Sequence, residues 1–95
     1  MEVICINDKN KPESITKETW VKEEKTYNVI KLVRSLNPNT LNEGYFVLKE
    51  IQPSDPSYGG YNIKRFLPLD FYLDHIDISA VEDILAKEGI PVEFH

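Results

Sequence analysis

The chain has 95 residues, 41% of them hydrophobic and 28% charged, with a formal net charge of −5. That length fits one domain able to bury roughly 60–70% of its unfolded surface, enough for a compact core but with little room for an internal ligand cavity. The balance excludes a disordered chain, and the negative charge opposes loose binding to phosphate backbones.

Cys5 is the single cysteine, so no internal disulfide forms and no oxidising compartment is implied. The run Val3-Ile4-Cys5-Ile6 is far too short for a signal peptide or a membrane span. The expectation is a cytoplasmic protein with no membrane partner. The same run is rich in β-branched residues and stops at Asn7-Asp8-Lys9-Asn10, which predicts a buried strand and a polar turn. Residues 11 to 25 carry Pro12 and mostly charged side chains. Ile15, Trp20 and Val21 give only a fragment of a helical period, so the segment reads as a loop pinned to the body by Trp20.

From Thr26 the pattern turns to Tyr27, Val29, Ile30, Leu32, Val33 and Leu36, interleaved with Lys31 and Arg34. The β-branched and aromatic content predicts a strand, and apolar residues on both parities predict cover on both faces for part of its length. Asn37-Pro38-Asn39-Thr40 reads as a turn. A partner strand follows from Gly44 to Ile51, making an antiparallel hairpin. Gln52 to Gly60 is a loop, and Tyr61 to Phe66 alternates as a short strand ending at Pro68.

The last third mixes Phe71, Tyr72, Leu73 and Ile76 with acidic residues and then reaches Ser79-Ala80-Val81-Glu82, the pattern of a capping box. A helix is predicted over about 80–88, with Val81, Ile84 and Leu85 on one face and Gly89 as its stop. Pro91 restricts Ile90 to Phe94 to an edge strand or a docked tail. That tail offers two pairings: the protein's own sheet edge, or that of a second copy in a homodimer.

Charge is unevenly spread. Residues 1–65 net +1, whereas residues 66–95 hold Lys87 against seven carboxylates and net −6. The plain reading is a solvated helix face and tail. The functional reading is an acidic surface, including Asp74, Asp77, Glu82 and Asp83, that docks on a protein partner with a basic surface.

The order Val3-Ile4-Cys5-Ile6-Asn7-Asp8, Trp20-Val21-Lys22 with Lys25-Thr26-Tyr27-Asn28-Val29, Gly44-Tyr45-Phe46-Val47-Leu48 and Tyr61-Asn62-Ile63-Lys64-Arg65-Phe66 resembles small SH3-like barrel proteins found as short reading frames in bacteria and their phages. The likeness covers residues 1–68. It implies a mainly β, partly open SH3-like barrel of about five antiparallel strands. The acidic C-terminal extension, residues 69–95, departs from that pattern and adds the predicted helix to the single domain, residues 1–95. The resemblance brings no catalytic residues with it.

The residues offer little chemistry. His75 lies between Asp74 and Asp77, but His75, the terminal His95 and Cys5 are a poor ligand supply for zinc. No metal or cofactor is expected. Cys5 sits in an apolar run without a base or cation beside it. Gly59-Gly60 is an isolated pair, not a phosphate-binding loop. In SH3-like barrels, loops that present aromatics cradle extended or proline-rich peptides, so Tyr58 and Tyr61 around the two glycines are candidate contacts. The plain alternative is a turn whose tyrosines cap the barrel. Lys64 and Arg65, with Phe66, Lys31 and Arg34, form a modest basic-aromatic patch, too small to make nucleic acid the main partner. Arg65 also has the option of pairing with tail carboxylates. The expectation is a non-enzymatic protein-interaction module, an accessory of a phage or mobile element that docks on or inhibits a host protein. The alternative is a nucleic-acid-associated regulatory domain.

Overall fold

A computed structural model describes residues 1–35, 39, 43–55, 58–69 and 78–94. The chain is mainly β, with a sheet curled into a small, partly open barrel and, among the described residues, a single α-helix near the C-terminus. Strands β1 (Glu2–Cys5), β2 (Thr26–Arg34), β3 (Gly44–Leu48), β4 (Tyr61–Asn62) and β5 (Phe66–Pro68) run in the spatial order β4-β3-β2-β1-β5. All these neighbours are antiparallel. Helix α1 (Ile78–Lys87) leads to β6 (Val92–Phe94), which pairs with β2 in parallel.

β2 is the spine of the barrel. Its first third pairs with β1, and its last third pairs with β3 on one edge and β6 on the other. The register with β3 slips between Val29 and Lys31, a bulge at Ile30. Tyr27 and Val29 are buried on one parity, but the next buried residue is Leu32, on the other. The apolar residues on both parities therefore record a phase change and not full cover on both faces, since Ile30 is exposed and Val33 only partly buried. A bulge bends a strand and increases its twist, which lets one strand serve both halves of a curled sheet.

The alternation of Tyr61 to Phe66 predicts one short strand, but the structure breaks it. A 3-10 turn at Ile63–Arg65 separates β4, on β3, from β5, on β1. The Asn62 side chain caps the turn by accepting from the Lys64 N–H at 2.9 Å. Buried positions jump from Tyr61 and Ile63 to Phe66 and Pro68, so the turn shifts the inward phase by one residue and carries the chain across the barrel. The first strand also ends a residue early. Ile6 falls on the outward parity and is exposed, while Val3 and Cys5 point inward.

α1 begins at Ile78, so Ser79 lies inside the helix rather than at its N-cap. Glu82 does not complete a capping box. Its carboxylate pairs with the Arg34 guanidinium on β2, a charged partner that outcompetes a backbone N–H. Ile78, Val81 and Leu85 form the buried stripe, and Ile84 is only partly buried. The helix stops as expected at Gly89, whose φ of 71° lies in the left-handed region. Ile90 N–H donates to the Leu85 carbonyl and Gly89 N–H to that of Ala86, which closes a Schellman motif. The tail docks on its own sheet, with the Leu32 N–H donating to the Pro91 carbonyl at 3.1 Å. Inside the barrel, Phe66 packs against Phe46 at 5.7 Å and against Tyr27 at 6.3 Å between ring centroids.

Candidate binding groove

The long excursion between β1 and β2 forms one wall of the site. Ile15 and Val21 anchor it in the interior, and the Lys22 N–H donates to the Tyr27 hydroxyl at 3.0 Å. Trp20 is held at both ends. Its Nε1–H donates to the Asp8 carbonyl at 2.6 Å, and its ring meets Tyr61 edge-on at 5.8 Å. The Arg65 guanidinium lies over the indole, 4.7 Å from the ring centroid. Such a cation contributes about 0.5–1 kcal/mol at an exposed site.

The loop between β3 and β4 forms the opposite wall and is laced to the first. Thr16 N–H donates to the Ser54 hydroxyl at 2.9 Å, and the Ser54 N–H donates to that of Thr19 at 3.3 Å. The Tyr61 hydroxyl donates to the Thr19 carbonyl. Burial pushes the Tyr61 hydroxyl up to about 12, so it stays a neutral donor. Gly60 then passes so close to β3 that an added Cβ would lie 2.5 Å from the Phe46 carbonyl oxygen.

These two walls enclose an open groove of about 180 Å³, lined by Pro12, Trp20, Tyr45, Tyr58, Gly60, Tyr61, Asn62 and Arg65. Drug-sized ligand pockets run to roughly 300–1,000 Å³, so this is a shallow contact surface and not an enclosing cavity. Tyr45 and Tyr58 are 37% and 40% exposed.

Of the residues singled out in sequence, Tyr58 lines the groove and Tyr61 forms its buried floor. Arg65 lies on the rim with Lys64 beside it in sequence. Arg65 does not pair with any described tail carboxylate. Its Nη1 donates instead to the carbonyls of Asn7 and Lys9, at 3.2 and 2.7 Å. Lys31 and Arg34 belong to another part of the barrel, where Lys31 pairs with Glu93 at 3.2 Å and Arg34 with Glu82. Glu82 is thus engaged within the chain, whereas Asp83 is exposed with no ion pair among the described residues. Asp74, His75, Asp77 and the Pro38 turn lie outside the described residues.

A lone tryptophan in a polar loop predicts a packing anchor, with ligand stacking as the minority reading of Trp20. Trp20 is an anchor, and a wall of the groove as well. Tyr45, Pro12 and Asn62 also line the groove, and nothing local in the sequence marks Pro12 or Asn62 as contacts. For Tyr45 a signal existed: it alternates with the buried Phe46, so its parity faces outward.

Cys5 is buried within β1, and burial pushes its thiol up. Among the described residues no group of three or more His, Cys, Asp or Glu side chains stands close enough to hold a metal ion. No helix among them is long and apolar enough to cross a membrane. Compared with family models, with curated proteins and with solved structures, the chain matches none.

Proposed function

We propose that this protein is a non-enzymatic interaction module that holds an extended, proline-containing peptide of a partner protein against Trp20, Tyr45 and Tyr58. The carrying observation is the convergence of these three aromatics and Pro12 on one open groove. A polyproline-type segment has three residues per turn, a solvated backbone and little conformational freedom to lose, so it suits a shallow aromatic surface. The strand order β4-β3-β2-β1-β5 in a curled, unclosed sheet supports an SH3-like reading of the scaffold. The acidic tail is the weaker candidate contact, because Glu82 and Glu93 already pair with Arg34 and Lys31.

Tyr58→Ala tests the proposal. Tyr58 is largely outside the core, so its loss leaves thermal stability unchanged to within a few degrees. Selection from a displayed random-peptide library is expected to enrich proline-containing sequences on the wild-type protein and to lose that enrichment on the variant. A variant that melts early yet keeps the enrichment would assign Tyr58 to barrel capping and overturn the reading.

A further inference from the structure

We infer that the groove selects peptides in which an aspartate or glutamate flanks the proline-containing segment, the carboxylate being held by Lys64, Arg65 and the side-chain amides of Asn7 and Asn62. This rests on the groove reading above and adds the chemistry of one end of the ligand.

A second concavity of about 170 Å³ is lined by Asn7, Asn10, Asn62, Lys64 and Arg65. It shares Asn62 and Arg65 with the aromatic groove, so the two form one continuous surface. No carboxylate lines it. Asp8 lies between Asn7 and Lys9 in sequence, but its carboxylate accepts from the Glu23 N–H at 3.1 Å and is not part of the lining.

The hydrogen-bond inventory fixes the sign of what this end accepts. The Asn7 Oδ1 is taken by the Lys9 N–H and the Asn62 Oδ1 by the Lys64 N–H, both at 2.9 Å. A backbone N–H only donates, so each amide oxygen has one of its two lone pairs taken and each NH2 is left as a donor. The Lys64 ammonium is exposed and has no ion pair among the described residues. Arg65 spends Nη1 on two backbone carbonyls, which hold the guanidinium over Trp20. Its remaining N–H groups have no partner among the described residues. With no carboxylate in the lining, the unspent groups of these four side chains are mostly donors, two of the side chains being cationic. Such a surface takes an anionic acceptor and rejects a lysine or arginine in the same place. It also stands out in a chain of net charge −5, where general electrostatics would favour a basic partner.

The test is library selection on wild-type protein and on Lys64→Glu, a substitution at an exposed side chain. Wild type is expected to enrich proline-containing peptides biased to Asp and Glu, and Lys64→Glu to shift the bias to Lys and Arg around the same core. The strongest wild-type peptide and its amide analogue, with Asn or Gln for the acid, are then titrated by fluorescence. Trp20 is the only tryptophan and lines the groove, so its emission reports the site directly. Loss of the acid is expected to weaken binding about three- to tenfold at low salt, and less at high salt. Proline enrichment without acidic bias, or with basic bias, overturns this inference and leaves the groove reading standing. No proline enrichment at all overturns both. Tighter binding of single-stranded oligothymidine than of any selected peptide would reassign the surface to nucleic acid.

Discussion

At the residue scale, the two adjacent glycines of the loop before β4 have different jobs. An added Cβ at Gly59 meets nothing within 4 Å, whereas one at Gly60 runs into the β3 backbone at Phe46. Gly59→Ala is accordingly expected to be nearly neutral, and Gly60→Ala to cost about 1–3 kcal/mol through forced backbone displacement. Urea denaturation of the two variants checks the contrast. Tyr61 makes a pH prediction. Its folded-state pKa is raised to about 12 from 10.0, chiefly by burial. Its contribution is complete below pH 10, where both states are protonated, and is lost as pH rises towards 12, because the unfolded chain ionises first. Tyr61→Phe is expected to be less stable near neutrality, having lost the bond to Thr19, and to show a shallower alkaline decline. Stability measured against pH for both proteins decides it.

At the element scale, two polar contacts join pieces that sequence order keeps apart. Arg34–Glu82 ties α1 to β2, with both side chains only partly exposed. Glu82→Gln is expected to destabilise by about 1 kcal/mol, with the difference shrinking in high salt. Thermal melts at low and high ionic strength measure it. Glu50, in the turn after β3, accepts from the Asn28 backbone and side-chain N–H groups of β2, both at 2.8 Å. Burial opposes ionisation of its carboxyl, but those hydrogen bonds outweigh it and hold the group below its ordinary 4.5. A depressed carboxyl stabilises above the unfolded pKa, and its contribution fades as pH falls through the folded one. Wild type should therefore exceed Glu50→Gln in stability near neutrality and converge on it as the pH falls below the ordinary carboxyl range, read from denaturation curves across the acid range.

At the scale of the whole molecule, the barrel is built so that one aromatic groove is braced from two loops. Thr16 and Thr19 bond to Ser54, Thr19 also accepts from Tyr61, and Trp20 bridges Asp8 and Tyr61. Trp20→Ala is expected to cost about 3 kcal/mol, since it removes a large packed ring and unfastens the wall, whereas Tyr58→Ala costs little. Paired melting curves separate the structural wall from the exposed one. A rigid wall also serves binding, because side chains already fixed lose less freedom when a peptide arrives.

The elements that local chemistry controls were legible from the residues alone. β-Branched and aromatic runs marked β1, β2 and β3, the turn residues marked the long loops, and Gly89 marked the end of α1. These are properties of single residues or of a strand's own period. Tertiary structure decided the phase breaks at Ile30 and at Ile63–Arg65, which appear only as imperfect alternation until the strands pair. It decided that β6 returns in parallel to β2, and that Glu82 meets Arg34 rather than capping its own helix. It also decided the site. Pro12, Trp20, Tyr45 and Tyr58 are scattered along the chain, and only the curl of the sheet and the crossing of two loops bring them to one groove. Sequence fixes which side chains exist, but long-range pairing fixes their distances, and a contact surface is made of distances.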